Sequence, residues 1–107
     1  GVKIAILNNG FLGMVRQWQE LFYQRRYVAT PLSCPDFVKV ADAYNIPGIT
    51  IKNKIDVIPS IKTAMETEGP FLLNFIVEPE ENVYPMVPAG ASLSEVLEEP
   101  IKKVRCK

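Results

Sequence analysis

The pattern of apolar positions at the start of the chain predicts a buried strand followed by an amphipathic helix. Residues 2–7 form an almost unbroken apolar run without polar alternation, which is typical of a parallel strand covered on both faces. Beyond residues 8–10, apolar side chains recur every three or four positions, as on one face of a helix. They are Met14, Val15, Trp18, Leu21 and Phe22, whereas Arg16, Gln17, Gln19 and Glu20 face elsewhere. We expect Leu21 and Phe22 to pack on the sheet.

The next segment predicts a second helix and a second strand. Residues 33–36 are typical of a helix start, because proline is tolerated in the first turn and Asp36 complements the helix dipole. Asn45 is suited to a left-handed cap at the end of this helix, and residues 48–52 form a short apolar strand. The predicted apolar face of the helix consists of Phe37, Val40, Ala41 and Tyr44.

A third helix and a third strand follow. Asp56 can cap the helix, Pro59 is confined to its first turn and Gly69 ends it. The helix residues predicted to face inward are Ile58, Ile61, Ala64 and Met65. Residues 71–77 then form a third apolar run, interrupted by Asn74, and we interpret them as a strand.

The order strand, helix, helix, strand, helix, strand predicts an α/β fold with right-handed crossovers. We expect a partial doubly wound parallel sheet of three strands flanked by helices. Three strands would leave an exposed edge where upstream strands pair, and no initiator methionine or lead-in precedes the first strand, so we expect a piece of a longer protein. We assign residues 1–78 to the α/β domain and residues 79–107 to a proline-rich tail. Periodicity in the tail is clearest at residues 93–97, and we expect its end, from residue 101, to be frayed.

Composition excludes several classes of function. The 12 basic and 12 acidic residues balance, so the chain lacks the positive field of a protein that binds nucleic acid or an anionic membrane surface. No apolar run approaches the roughly 20 residues of a membrane span and no leader is visible, so we expect a cytoplasmic protein. We expect Cys34 and Cys106 to be ordinary thiols. Because histidine is absent, any proton chemistry requires a carboxylate, a cofactor or residues outside this chain.

Two motifs carry a resemblance to a known family. Asn8-Asn9 closing an apolar strand resembles the end of the thiamin-diphosphate motif, and residues 12–18, LGMVRQW, resemble the large catalytic subunit of acetolactate synthase (acetohydroxyacid synthase). Residues 84–91, YPMVPAGA, resemble the PM(V/I)PxG segment near the carboxyl terminus of the same family. The resemblance covers essentially the whole chain. The Gly-Asp-Gly that opens the family's cofactor motif is absent.

The resemblance implies a cofactor site after the first strand. By resemblance, the Asn9 side-chain oxygen and the Phe11 carbonyl bind Mg²⁺, which bridges to the diphosphate of thiamin diphosphate. Leu12, Gly13 and Met14 then follow as cofactor-binding residues. Without the family, residues 8–10 would be interpreted as an ordinary turn. Asn8 is expected to order that turn rather than to bind the metal.

The resemblance also implies residues for substrate binding and for covering the active site. Met14 and Trp18 would contact substrate, with Trp18 lining the site of the second 2-keto acid, although their spacing alone indicates core packing. Met86, Pro88 and Ala89 would fold over the active site, where the alternative is a polyproline-like linker. The loop containing Arg25-Arg26-Tyr27 would lie near the entrance, where the alternative is a solvated loop.

The implied activity is condensation of pyruvate with a second 2-keto acid, with loss of CO₂, in branched-chain amino acid biosynthesis. The family implies FAD in the full-length enzyme, the remainder of the catalytic subunit as a partner, a homodimer or tetramer, and a small regulatory subunit. It implies no catalytic residue within this chain, so the chain alone is expected to be inactive. The alternatives are another thiamin-diphosphate-dependent decarboxylase or oxidase, and a non-catalytic flavodoxin-like binding module.

Overall fold

The computed structural model describes residues 1–98, and it confirms the predicted order of elements. The expected fraying after residue 101 and the state of Cys106 lie outside the described residues. Cys34 is an exposed free thiol. The elements are β1 (Lys3–Asn8), α1 (Gly13–Phe22), α2 (Phe37–Asp42), β2 (Gly48–Ile51), α3 (Val57–Glu66) and β3 (Phe71–Ile76), with 3₁₀ turns at Lys54–Asp56 and Leu93–Glu95. No helix in this part of the chain has the length and apolar character needed to cross a membrane.

The three strands form one parallel sheet in the order β1-β3-β2, which confirms the α/β class. Ile4 of β1 and Gly48 of β2 both pair with Leu72, on opposite sides of the central strand. At the carboxyl end of the sheet, Asn8 pairs with Ile76. The sheet therefore brings the end of β1, where the candidate cofactor residues begin, to the edge at which open α/β sheets bind ligands.

The chain divides into two compact units. The sheet unit comprises Gly1–Phe11 and Leu32–Pro79, and the helix–tail unit comprises Leu12–Pro31 together with the chain from Glu80. Each unit is described by itself. The predicted boundary between residues 78 and 79 stays a prediction.

The core of the sheet unit lies between α3 and the sheet. Ile51, Ala64, Phe71 and Leu73 are buried together, and Ile49, Val57 and Phe75 pack around them. The inward position of Ala64 was predicted correctly, but Ile58, Ile61 and Met65 are exposed. The helix instead buries Ser60 and Ala64, two small residues one turn apart, which allow its backbone to approach the sheet closely.

Helix α2 begins where the sequence predicts, but the residues that it buries differ from the predicted apolar face. The Asp36 carboxylate accepts a hydrogen bond from the Lys39 amide at 3.2 Å, and Asn45 has the predicted left-handed conformation with a φ of 57°. Ala41 is buried as predicted, but Val40 and Tyr44 are exposed. Further face residues are Phe37, which is half-buried, and Val38, whose Cγ1 lies 3.6 Å from where a Cβ on Gly48 would sit. α2 therefore buries Ala41 with Phe37 and Val38 beside it, rather than with Val40 and Tyr44.

The prediction that β1 is covered on both faces is wrong for this chain. Val2, Ile4 and Leu7 are exposed, because β1 lies at the edge of the sheet whereas α2 and α3 pack against β2 and β3. Lys3, the polar interruption of the run, donates hydrogen bonds to the carbonyls of Thr67 and Gly69 at 2.6 and 2.7 Å. It thereby ties the amino end of β1 to the turn that precedes β3.

Candidate functional site

The loop after β1 is built from two consecutive side-chain turns. Asn8 Oδ1 accepts a hydrogen bond from the Gly10 amide, and Asn9 Oδ1 accepts one from the Phe11 amide, both at 3.1 Å. Gly10 has a φ of +70°, a conformation that glycine adopts without a steric penalty. Both asparagines therefore order the turn, a role that sequence reasoning gave to Asn8 alone.

The oxygen atoms of this loop fit a magnesium ion in chemical type. An amide oxygen has two lone pairs, so Asn9 Oδ1 can accept from Phe11 and still bind a cation. Side-chain and backbone carbonyl oxygens are hard ligands that Mg²⁺ accepts, and the remaining positions are usually filled by water and phosphate. Within residues 1–98, no cluster of three His, Cys, Asp or Glu residues could hold a metal instead. The assignment of Asn9 and Phe11 to the metal stays a prediction.

Helix α1 buries its polar face rather than its apolar stripe. Arg16 and Gln17 are 0% and 1% exposed, whereas Trp18 is 46% exposed and Phe22 is 44% exposed. Leu21 is half-buried, and the expectation that Leu21 and Phe22 pack on the sheet stays a prediction. The polar face is buried because acceptors and donors from residues 80–86 cover it.

The buried Arg16 side chain lies at the centre of a hydrogen-bond network. Its Nη1 donates to Glu20 at 3.0 Å, to Glu80 at 3.1 Å and to the Tyr27 hydroxyl at 3.2 Å. Its Nη2 donates to Asn82 Oδ1. The network is closed by Asn82, which donates to Glu20 at 2.9 Å, and by Tyr27, which donates to Glu80 at 3.1 Å. Sequence reasoning missed this cluster, because its two tail members lie 64 and 66 residues from Arg16 and follow no periodic pattern.

The network sets the charge state of its members. Burial opposes the charged form of Glu20, but hydrogen bonds from Asn82, Arg25 and Arg16 outweigh burial and hold the pKa of this carboxyl below its usual 4.5. Burial and the hydrogen bond to Glu80 raise the pKa of the Tyr27 phenol above its usual 10.0. Glu20 is therefore a carboxylate, and Tyr27 a neutral phenol, throughout the neutral range.

The depressed pKa of Glu20 predicts an acid limit to the stability of the helix–tail unit. Because the folded-state pKa lies below the unfolded value, the stabilisation is present above pH 4.5 and is lost as the pH falls through the folded-state pKa. The free energy of unfolding should decrease as the pH is lowered through that window. Fluorescence of Trp18, the single tryptophan, would follow the unfolding. Glu20→Gln should remove this part of the pH dependence, and equal slopes in the two proteins would contradict the assignment.

The Gln17 side chain binds the backbone of the tail at Val83. Gln17 Oε1 accepts from the Val83 amide at 2.8 Å, and Gln17 Nε2 donates to the Val83 carbonyl at 2.9 Å and to Met86 Sδ at 3.3 Å. Met86 in turn forms an antiparallel bridge with Leu97. Farther along, the Ala91 amide donates to the Pro88 carbonyl at 3.0 Å, which places Ala89 in a turn. The tail thus makes specific hydrogen bonds to α1 and within itself, unlike the polyproline-like linker considered as the alternative.

The exposed face of α1 borders a groove of about 450 Å³ in the helix–tail unit. Trp18 lines it, as does Arg26 from the loop for which the resemblance implies a position near the active-site entrance. Gln19 fixes that loop by hydrogen bonds to the amide and carbonyl of Val28 and to the hydroxyl of Thr30. The other lining residues are Val15, Gln19, Tyr23 and Val28, of which sequence reasoning had singled out only Val15 and Gln19, as helix-face positions.

Comparison with known proteins identifies a family and several relatives. Residues 1–75 match the family described as thiamine pyrophosphate enzyme, C-terminal TPP binding domain. The chain is 48% identical over 99 residues, 92% of its length, to the acetolactate synthase isozyme 2 large subunit of Escherichia coli strain K12. It is 44% identical over 96 residues to the mitochondrial acetolactate synthase of Schizosaccharomyces pombe, and 40% identical over 104 residues to chloroplastic acetolactate synthase 1 of Oryza sativa subsp. japonica; each match covers 90% of this chain. It spans only 18%, 14% and 16% of these three relatives, respectively.

Proposed function

Because this chain belongs to the thiamine pyrophosphate enzymes, within their C-terminal TPP-binding domain, we propose that it is the carboxyl-terminal part of an acetolactate synthase catalytic subunit. The full-length enzyme would condense pyruvate with a second 2-keto acid, pyruvate or 2-ketobutyrate, with loss of CO₂, for branched-chain amino acid biosynthesis. The observation that carries the proposal is the 48% identity to the E. coli large subunit over 92% of the chain.

The loop after β1 is the proposed metal and cofactor site. Asn9 Oδ1 and the Phe11 carbonyl would bind Mg²⁺, and the two side-chain turns hold the loop in one shape before the ion arrives. Leu12, Gly13 and Met14 lead into α1, whose first-turn amides favour nearby negative charge such as a diphosphate. Thiamin diphosphate would supply the stabilisation of the carbanion.

The helix–tail unit is the proposed site of the second 2-keto acid. Trp18 and Met14 are exposed on α1, which leaves both side chains available to contact a substrate. Met86, Pro88 and Ala89 would cover the active site, and the hydrogen bond from Gln17 to Met86 supports that role by fixing the tail on the same helix. No residue of this chain is assigned a covalent or proton-transfer step.

The remaining proposals concern the whole enzyme. FAD, a homodimer or tetramer and a small regulatory subunit are proposed from the resemblance to the family, as are a third Mg²⁺ ligand and an activating glutamate in other parts of the protein. We propose a cytoplasmic location. The relatives from S. pombe and O. sativa are mitochondrial and chloroplastic by name.

A chimera tests the proposed function. The matching segment of the E. coli isozyme 2 large subunit would be replaced by this chain, and the purified chimera assayed with thiamin diphosphate, Mg²⁺, FAD and pyruvate. We expect the chimera to form acetolactate and the isolated 107-residue chain to form none. A chimera that binds the cofactor and decarboxylates or oxidises pyruvate without forming acetolactate would favour another enzyme of the family. Acetolactate formed by the isolated chain would contradict the assignment of essential residues outside it.

A further inference from the structure

We propose that Arg16 and Gln17 are positioning residues that fix the tail on α1, so that Trp18 and Met86 are held in one arrangement for selecting the second 2-keto acid. The inference rests on the proposed function for its substrate, and on the contacts within the helix–tail unit for its geometry. Neither Arg16 nor Gln17 lines the groove beside Trp18, so both would act through the helix and the tail rather than by touching substrate.

The first observation is the cost of burying Arg16. A guanidinium that is 0% exposed destabilises the fold if it loses its hydrogen-bond partners while it stays buried. Two of those partners, Glu80 and Asn82, belong to the tail and are two residues apart. Separating the tail from α1 would therefore break two of the four side-chain contacts to which Arg16 donates. The helix and the tail are thus stable together rather than as independently moving segments.

The second observation is that Gln17 fixes the register of the tail. Its amide both accepts from the Val83 N–H and donates to the Val83 carbonyl. Because both bonds go to the same tail residue, a shift of the tail along α1 by one residue would break both. Met86 Sδ accepts from the same amide, so the register at Val83 also sets the position of Met86.

The third observation is that the anchoring residues Arg16 and Gln17 are adjacent to Trp18 on one helix. Arg16 and Gln17 are buried under the tail, whereas the adjacent Trp18 is 46% exposed and lines the groove. A change in how the tail sits on α1 would move Met86 relative to Trp18 without altering either residue. Through this arrangement Arg16 and Gln17 influence specificity without contacting the substrate themselves.

The test uses the chimera with Gln17→Leu, Arg16→Met or the control Lys62→Met, which removes an exposed charge from α3 in the sheet unit. Hydrogen exchange, measured in the peptide covering residues 80–86, should be roughly 5- to 30-fold faster at Val83 in Gln17→Leu, as expected for a loss of one to two hydrogen bonds. The control should exchange like the wild type. Unchanged protection at Val83 would overturn the proposal, and this readout does not depend on any activity.

The kinetic arm separates positioning from a merely structural role. Gln17→Leu should lower the preference for 2-ketobutyrate over pyruvate as second substrate several-fold, with pyruvate decarboxylation close to the wild-type rate, and Arg16→Lys should retain more of that preference than Arg16→Met. A fast-exchanging Val83 with an unchanged product ratio would overturn the positioning role. A wild-type chimera that exchanges as expected but makes no acetolactate would instead count against the proposed function. If Arg16→Met fails to fold, Gln17→Leu alone decides.

Discussion

Replacing Asn9 by alanine in the full-length enzyme should weaken Mg²⁺-dependent retention of thiamin diphosphate by at least about tenfold. Loss of a group that merely orients a metal ligand already costs roughly 10- to 100-fold in metal affinity, and Asn9 is proposed to be a ligand itself. Titration of the apoenzyme with cofactor at a fixed Mg²⁺ concentration would measure the effect. Asn9→Asp, which keeps an oxygen at the same place, should retain the cofactor much better than Asn9→Ala.

The structure provides a matched control in the neighbouring asparagine. Asn8 and Asn9 make equivalent hydrogen bonds, each to the amide two residues later and each at 3.1 Å. Asn8→Ala therefore removes the same kind of turn contact, worth about 1 kcal/mol, without removing a proposed metal ligand. The difference between the two alanine variants isolates the metal contribution. Equal cofactor affinity in both would show that Asn9 only orders the turn.

Trp18→Leu should reduce the preference for 2-ketobutyrate over pyruvate as second substrate by the order of 10- to 100-fold. One methylene contact in an apolar pocket supplies about 1 to 3 kcal/mol of discrimination, and the smaller leucine would no longer reach it. The first half-reaction on pyruvate should remain largely intact. Product ratios at equal concentrations of the two 2-keto acids would measure the change.

Phe22→Leu is the matched control for Trp18. Phe22 is an aromatic residue with nearly the same exposure on the same helix, 44% against 46%, and it does not line the groove. It should leave the product ratio unchanged. If Trp18→Leu instead destabilised the protein while the folded fraction kept its product ratio, Trp18 would be a packing residue, as its spacing alone suggested.

The elements could be predicted from the sequence because their signals are local. Asp36 starts α2 through a bond three residues away, and Asn45 adopts the left-handed conformation that its short side chain tolerates. The Asn8-Asn9 turn likewise depends only on bonds between i and i+2. Each of these features is decided by neighbours in the sequence, and all were predicted except the turn bond of Asn9.

The buried faces could not be predicted, because they depend on residues far along the chain. The apolar stripe of α1 indicates an inward face, yet Arg16 and Gln17 are buried because residues 80–86 supply their partners. In the same way, Ser60 rather than Ile61 faces the sheet, since a small residue allows close approach. The motif at residues 12–18 identified the family, but not the contacts that its two central polar residues make.

The position of β3 in the sheet has a consequence for how the protein is made on the ribosome. The central strand is the last of the three to be synthesised, and β1 and β2 each pair with it rather than with each other. Lys3 of β1 therefore pairs with Phe71 only after the whole segment between them has been synthesised. Folding is slowed because the long segment between β1 and β3 must lose conformational entropy before strand pairing stabilises it. The three-stranded sheet of this chain therefore forms only after β3 has been synthesised.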